Sequence, residues 1–189
     1  MTSIVPPRDW TAIHWPDMAG SDPARWIAVL PLAATEQHGP HLPLGTDVMI
    51  GEAYLARVHE LLPAKIPATF LPQQPVGIST EHIYYPGTLT LPAEIALKTW
   101  TALGQSLAYA GVKKLVLLSG RGEPEAERAE QMLQKCNVDW TILRCSFFSQ
   151  NFSENFFLDP ILAGEVALPV RPVAEPFVDI EDVAEPLSA

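Results

Sequence analysis

Four side chains able to ligate a metal or carry a proton, Glu36, His38, His41 and Asp47, fall within twelve residues of one another. They lie in the segment 30–47, Leu-Pro-Leu-Ala-Ala-Thr-Glu-Gln-His-Gly-Pro-His-Leu-Pro-Leu-Gly-Thr-Asp, which Pro40 and Pro43 stiffen and in which Gly39 and Gly45 permit close approach. Glu36 and His38 are two positions apart, so an extended chain points both to one face. A carboxylate and an imidazole converging there form a ligand pair suited to zinc, manganese or iron(II). Asp47 directly precedes a helical pattern and can serve as its N-cap, as a ligand, or as both. His41 reads as a loop residue or an outer neighbour of the ligands.

These residues need a scaffold. Residues 26–34 form a near-continuous apolar run of strand length, as in a strand buried on both faces, and the Glu36/His38 pair leaves its C-terminal end. In open α/β sheets that edge is where ligands bind. Val48, Tyr54, Leu55, Val58, Leu61 and Leu62 then recur at helical spacing until Pro63. His59, near the end of this helix, is expected to be structural or exposed, at a terminus whose dipole favours positive charge. A second strand is expected over 68–71. The connection over 72–86 is long and holds Ser79, Glu81, His82, Tyr84 and Tyr85, groups of the kind that line a substrate pocket. Thr90 and Pro92 start a further helix, Ala96, Trp100, Leu103 and Leu107 give its apolar face, and Gly111 stops it. A third strand over 112–118 completes strand, helix, strand, helix, strand, which specifies an α/β class with a parallel sheet and right-handed crossovers. Beyond it the pattern continues as a helix over 125–135, a fourth strand over 140–145, and an acidic, proline-rich tail with one short strand near Val166 or Phe177.

The chain has 189 residues, enough for one domain, and 48% are hydrophobic, enough for a sizeable core. A net charge of −10 and an isoelectric point near 4.8 exclude nucleic acid and anionic membrane as partners on electrostatic grounds. No apolar run reaches membrane-spanning length and no apolar signal core opens the chain, so a cytoplasmic location is expected. Cys136 and Cys145 read as buried thiols. All five histidines precede residue 83, so histidine chemistry belongs to the first half.

The octapeptide 36–43, Glu-Gln-His-Gly-Pro-His-Leu-Pro, followed by Thr46 and Asp47, resembles the signature of the creatininase family, metal-dependent amidohydrolases that act on cyclic amides and related C–N bonds. The likeness continues through Gly-Ile-Ser-Thr-Glu-His at 77–82 and Tyr-Pro-Gly-Thr-Leu-Thr-Leu at 85–91, and covers about residues 10–118. It implies a layered α/β/α domain and a small-molecule amide substrate. It implies a divalent metal, zinc first and manganese or iron as alternatives, held by Glu36, His38, Asp47 and Glu123. Catalytic roles fall to His82 and Glu123, substrate contacts to Ser79 and Tyr84, and a homo-oligomer is implied as well.

After the third strand the resemblance changes. Where the family places Asn-Gly-His, this chain has Ser119-Gly120-Arg121, with Glu123 keeping the position of a later carboxylate. A guanidinium has no lone pair for a cation. Residues 112–184 resemble instead the later part of an NmrA-like atypical short-chain dehydrogenase/reductase, so the chain reads as a fusion: 1–118 creatininase-like, 119–164 an NmrA-like continuation of the same sheet, 165–189 a tail. No glycine-rich dinucleotide turn occurs, and Glu123 and Glu125 would oppose a phosphate. Three functions are therefore on the table: a metal-dependent amidohydrolase, a catalytically silent fusion product in which Arg121 pairs with Glu36 or Asp47, and an NAD(P)-binding module. The first fits the residues best.

Overall fold

The computed structural model describes residues 5–119 and the strand segments 139–144, 147–148 and 177–178. A short helix, α1, covers Trp15–Ala19; strand β1 covers Ile27–Pro31, helix α2 Thr46–Leu61, strand β2 Ala68–Phe70, helix α3 Ala93–Tyr109 and strand β3 Lys114–Ser119. Asp139–Arg144 forms β4, and Phe147–Phe148 (β5) pairs in parallel with Phe177–Val178 (β6). The main sheet is wholly parallel in the order β2-β1-β3-β4. The chain thus runs from β1 outward to β2, then returns past β1 to β3. That reversal opens a crevice at the C-terminal ends of β1 and β3.

The two faces of β1 explain its unbroken hydrophobicity. Ala28 and Leu30 point to one side and pack with Leu97, Trp100 and Leu107 of α3 and with Leu115 and Leu117 of β3. Val29 points to the other and packs with Val58 and Leu62 of the α2 segment, Phe70 and Val116. Helices therefore cover both faces, the layered α/β/α arrangement expected.

The strand expected over 26–34 stops earlier, at Pro31. The next residues exchange the ladder for loop pairing: Leu32 bridges Gln74, and the Ala33 amide donates to the Gln74 carbonyl at 2.9 Å. The strand expected over 112–118 begins two residues later and ends at Ser119, and β4 and β6 fall at the fourth strand and at Phe177 as read from the sequence. The helix expected over 125–135, both cysteines and most of the tail lie outside the described residues.

One tie was not legible in the sequence. The Arg8 guanidinium donates to the carbonyls of Ile66, Ala68, Leu62 and Pro63, at 2.8, 3.2, 3.3 and 2.7 Å. These oxygens lie at the exit of α2 and the entry to β2, where helix geometry leaves acceptors unpaired. His59 sits beside this knot, its ring centroid 4.4 Å from that of Phe70. Of the two readings, structural or exposed, the structure bears out the first: the ring is half-buried against Phe70. Burial lowers the His59 pKa, Asp9 partly opposes that shift and Arg8 reinforces it. With the folded pKa below the ordinary 6.5, the unfolded chain binds the proton more readily. Stability from His59 is therefore full above that value and declines as pH falls through it towards the lowered folded pKa. In thermal unfolding at a series of pH values, His59→Gln should flatten this acid-side decline; an unchanged profile would contradict the assignment.

Candidate metal centre

Between β1 and α2 the chain makes a loop that braces itself. The Glu36 amide donates to the Leu44 carbonyl at 2.9 Å, and the Thr46 hydroxyl donates to the Pro43 carbonyl at 2.6 Å. Gly39 adopts φ +80°, a left-handed conformation that a side chain would strain. A second set of bonds joins this loop to the connection after β2. Thr35 pairs with Leu89, whose amide reaches the Thr35 carbonyl at 2.9 Å, while the Thr35 hydroxyl donates to Pro75 at 2.7 Å. The two segments approach so closely at Gly77 that a Cβ there would stand 2.9 Å from the Ala33 carbonyl oxygen.

This bracing brings ligand atoms of Glu36, His38 and Asp47 within 4.8 Å of one another. Asp47 does not cap the helix. Gly45 occupies the cap position and Asp47 lies inside the first turn with no capping bond, which leaves its carboxylate facing the loop. The His38 ring lies between the other two. A carbonyl only accepts, so Nδ1–H donates to the Glu36 carbonyl at 3.1 Å. The other ring nitrogen, Nε2, lies 3.2 Å from Asp47 Oδ1. A cation, or a hydrogen between them, satisfies both, and the backbone-held Nδ1–H is the arrangement that ligating histidines use to fix their orientation. Two carboxylates and one imidazole nitrogen suit zinc, manganese or iron(II). The donor set fits a divalent metal.

His82 enters from the connection after β2, on the one-turn helix Thr80–His82. Its Nε2 lies 3.7 Å from Glu36 Oε1, and its Nδ1 lies 3.1 Å from the Gln37 side-chain nitrogen. Glu36, Glu81 and His82 form a second group with ligand atoms inside 4.8 Å. Ser79, also expected at the site, is fully buried; its amide donates to the Thr90 hydroxyl at 2.8 Å, and its own hydroxyl oxygen has no partner. Thr90, expected to start α3, serves this loop instead, and Pro92 caps the helix. Tyr84 is 90% exposed and His41 is an exposed loop residue. Arg121 and Glu123 follow β3 directly in sequence and lie outside the described residues. Gln37 and Thr88 were missed. Gln37 donates its amide to the Thr88 hydroxyl at 3.2 Å, and its place between two candidate ligands was the available signal.

A family model described as Creatininase, creatinine amidohydrolase, matches residues 11–165. The match extends beyond residue 118, into the segment expected to be reductase-like, and nothing found supports that second resemblance. Among curated proteins, the chain is 39% identical over 106 residues to a mycofactocin precursor peptide peptidase of Mycobacterium ulcerans (strain Agy99), covering 53% of this chain and 42% of that protein. It is 30% identical over 102 residues to the creatinine amidohydrolase of Pseudomonas putida, covering 51% and 38%. The chain thus spans about two fifths of the length of these relatives. Among solved structures, one described as "Creatininase Mn" superposes with a TM-score of 0.56 at 23% identity, over 85% of this chain and 65% of that one.

Proposed function

The chain belongs to the creatininase family, and from that premise we propose that it is a metal-dependent hydrolase of amide or closely related C–N bonds. The observation that carries the reading is the convergence of Glu36, His38 and Asp47 at the C-terminal edge of the parallel sheet. The names of the two relatives share amide hydrolysis, of a peptide in one and of creatinine in the other. That common chemistry is the substrate class proposed.

Glu36, His38 and Asp47 would hold one divalent cation, with zinc or manganese the first choices and Glu123 a fourth ligand. When bound, it supplies Lewis acidity towards an amide carbonyl and towards water. The Glu36 carbonyl holds the His38 ring with its Nδ1–H, so Nε2 is presented in one orientation. The loop bonds from Glu36 to Leu44 and from Thr35 to Leu89 hold the carboxylates without help from a substrate. Ser79 and Tyr84 are assigned to substrate contacts, and Glu123 to moving a proton to the departing nitrogen. His82 is the second residue assigned a catalytic role.

The test is elemental analysis of the purified protein beside a Glu36→Ala, His38→Ala double variant, followed by amine release from a panel of peptides and cyclic amides. About one equivalent of zinc or manganese in wild type and none in the variant is expected. Both proteins empty after metal addition would end the hydrolase reading in favour of a catalytically silent chain.

A further inference from the structure

The second acidic group, Glu36, Glu81 and His82, has the spacing of another cation site. The hydrogen-bond pattern around His82 decides against that use. The chain of donors begins at Gly39, whose backbone N–H lies 3.0 Å from Gln37 Oε1. A backbone N–H can only donate, which identifies the side-chain atom it meets as oxygen and fixes which way the Gln37 amide points. The other end of that amide is then NH2, and it lies 3.1 Å from His82 Nδ1. An NH2 can only donate, so Nδ1 accepts and carries no hydrogen. The hydrogen of the neutral ring therefore sits on Nε2, the atom 3.7 Å from Glu36 Oε1.

We propose that Gln37 fixes His82 as the Nε2–H tautomer, which makes His82 a positioning residue that directs its N–H at the Glu36 carboxylate rather than a ligand of a second cation. The separation is longer than a direct hydrogen bond, so the effect is that of an oriented N–H dipole on the carboxylate beside it. The surroundings hold every part of this relay. The Gln37 backbone is tied to the Thr88 hydroxyl, and the His82 amide donates to the Ser79 carbonyl at 3.1 Å. The His82 ring meets Tyr85 edge-on with centroids 6.4 Å apart. Gly39 supplies its N–H from φ +80°, where a larger residue would be strained. A cation meeting His82 at Nε2, the nitrogen beside Glu36, would need a lone pair there, and the relay places a hydrogen on it, while Nδ1 is taken by the Gln37 amide. Among the described residues the capacity is therefore one cation, at Glu36, His38 and Asp47. Only this consequence for metal rests on the proposed function; the tautomer does not.

The experiment uses the full chain with 15N-labelled histidine, metal-free. The ring 15N shifts distinguish a bare nitrogen from a protonated one, and the His82 signals are those missing from a His82→Asn variant. Wild type should show Nδ1 bare and Nε2 protonated. In Gln37→Glu the side chain offers only acceptors, so the hydrogen should move to Nδ1, and the Nε2 lone pair this frees should open the second group, raising zinc uptake from about one equivalent to about two. Wild type with Nδ1–H, or Gln37→Glu with an unmoved tautomer, would overturn the proposal. A moved tautomer with zinc uptake unchanged would overturn the claim that the Nε2 hydrogen is what keeps a second cation out. Wild type that shows the expected tautomer but takes up no zinc would sink the proposed function alone.

Discussion

Asp47→Asn should abolish metal uptake while leaving the metal-free protein about as stable as wild type. The two effects separate because the substitution changes one thing between two atoms. In the metal-free protein His38 Nε2 and Asp47 Oδ1 lie 3.2 Å apart. An amide nitrogen in place of that oxygen would donate to Nε2, a bond contributing ~0.5–1.5 kcal/mol. Against it stands the loss of a negative charge in the first turn of α2, worth ~0.3–1 kcal/mol at a partly exposed position. The net change is within about 1 kcal/mol in either direction. Metal affinity, by contrast, loses an anionic ligand, and should fall by more than the ~10–100-fold that removing an outer partner costs. Thermal unfolding in chelator, with zinc titration of the same samples, checks both halves. An unfolding midpoint lowered by many degrees, or retained zinc, would show that Asp47 is a structural residue.

Trp100→Ala should lower stability by ~3–5 kcal/mol, the range for truncating a buried aromatic. Trp100 is 5% exposed on α3 and packs in the cluster that covers Ala28 and Leu30 of β1 and Leu115 and Leu117 of β3. For a chain of this length the unfolding midpoint should fall by roughly 10 °C or more. The hydrogen bonds that brace residues 35–46 do not involve α3. Below its unfolding midpoint the variant should therefore keep its zinc stoichiometry. A denaturation curve with zinc content measured on the folded baseline tests the pair of statements; a loss under about 1 kcal/mol would mean that α3 is not the cover of this sheet face.

The parts of the fold legible in the sequence are those fixed by short-range pattern. The run through Ala28, Val29 and Leu30 could only be a strand buried on two sides, and Ala96, Trp100 and Leu107 recur on one helical face; the structure buries all six. Glu36, His38 and Asp47 were legible because one short loop carries them. What was not legible depends on partners brought together by folding. Gln37 and His82 are 45 positions apart, and nothing in either neighbourhood announces their bond. Arg8 meets carbonyls more than fifty positions away. Asp47 was ambiguous between cap and ligand because the choice turns on where the helix begins, and Gly45 takes the cap. His59 stayed open between structural and exposed because its packing against Phe70 comes from the strand after the helix. The roles of Arg121 and Glu123 rest on the sequence alone.

The self-bracing of the loop after β1 bears on kinetics. Its bonds run between Glu36 and Leu44 and between Pro43 and Thr46, and none of them uses the ligand atoms of Glu36, His38 or Asp47. The ligand atoms are thus assembled before any ion arrives, and little chain entropy is left to lose on capture. The speed of loading would then follow how readily the incoming ion sheds its water. Magnesium, which dehydrates reluctantly, would be slow to enter. A preassembled site of this kind sorts ions by their rate of dehydration as well as by affinity.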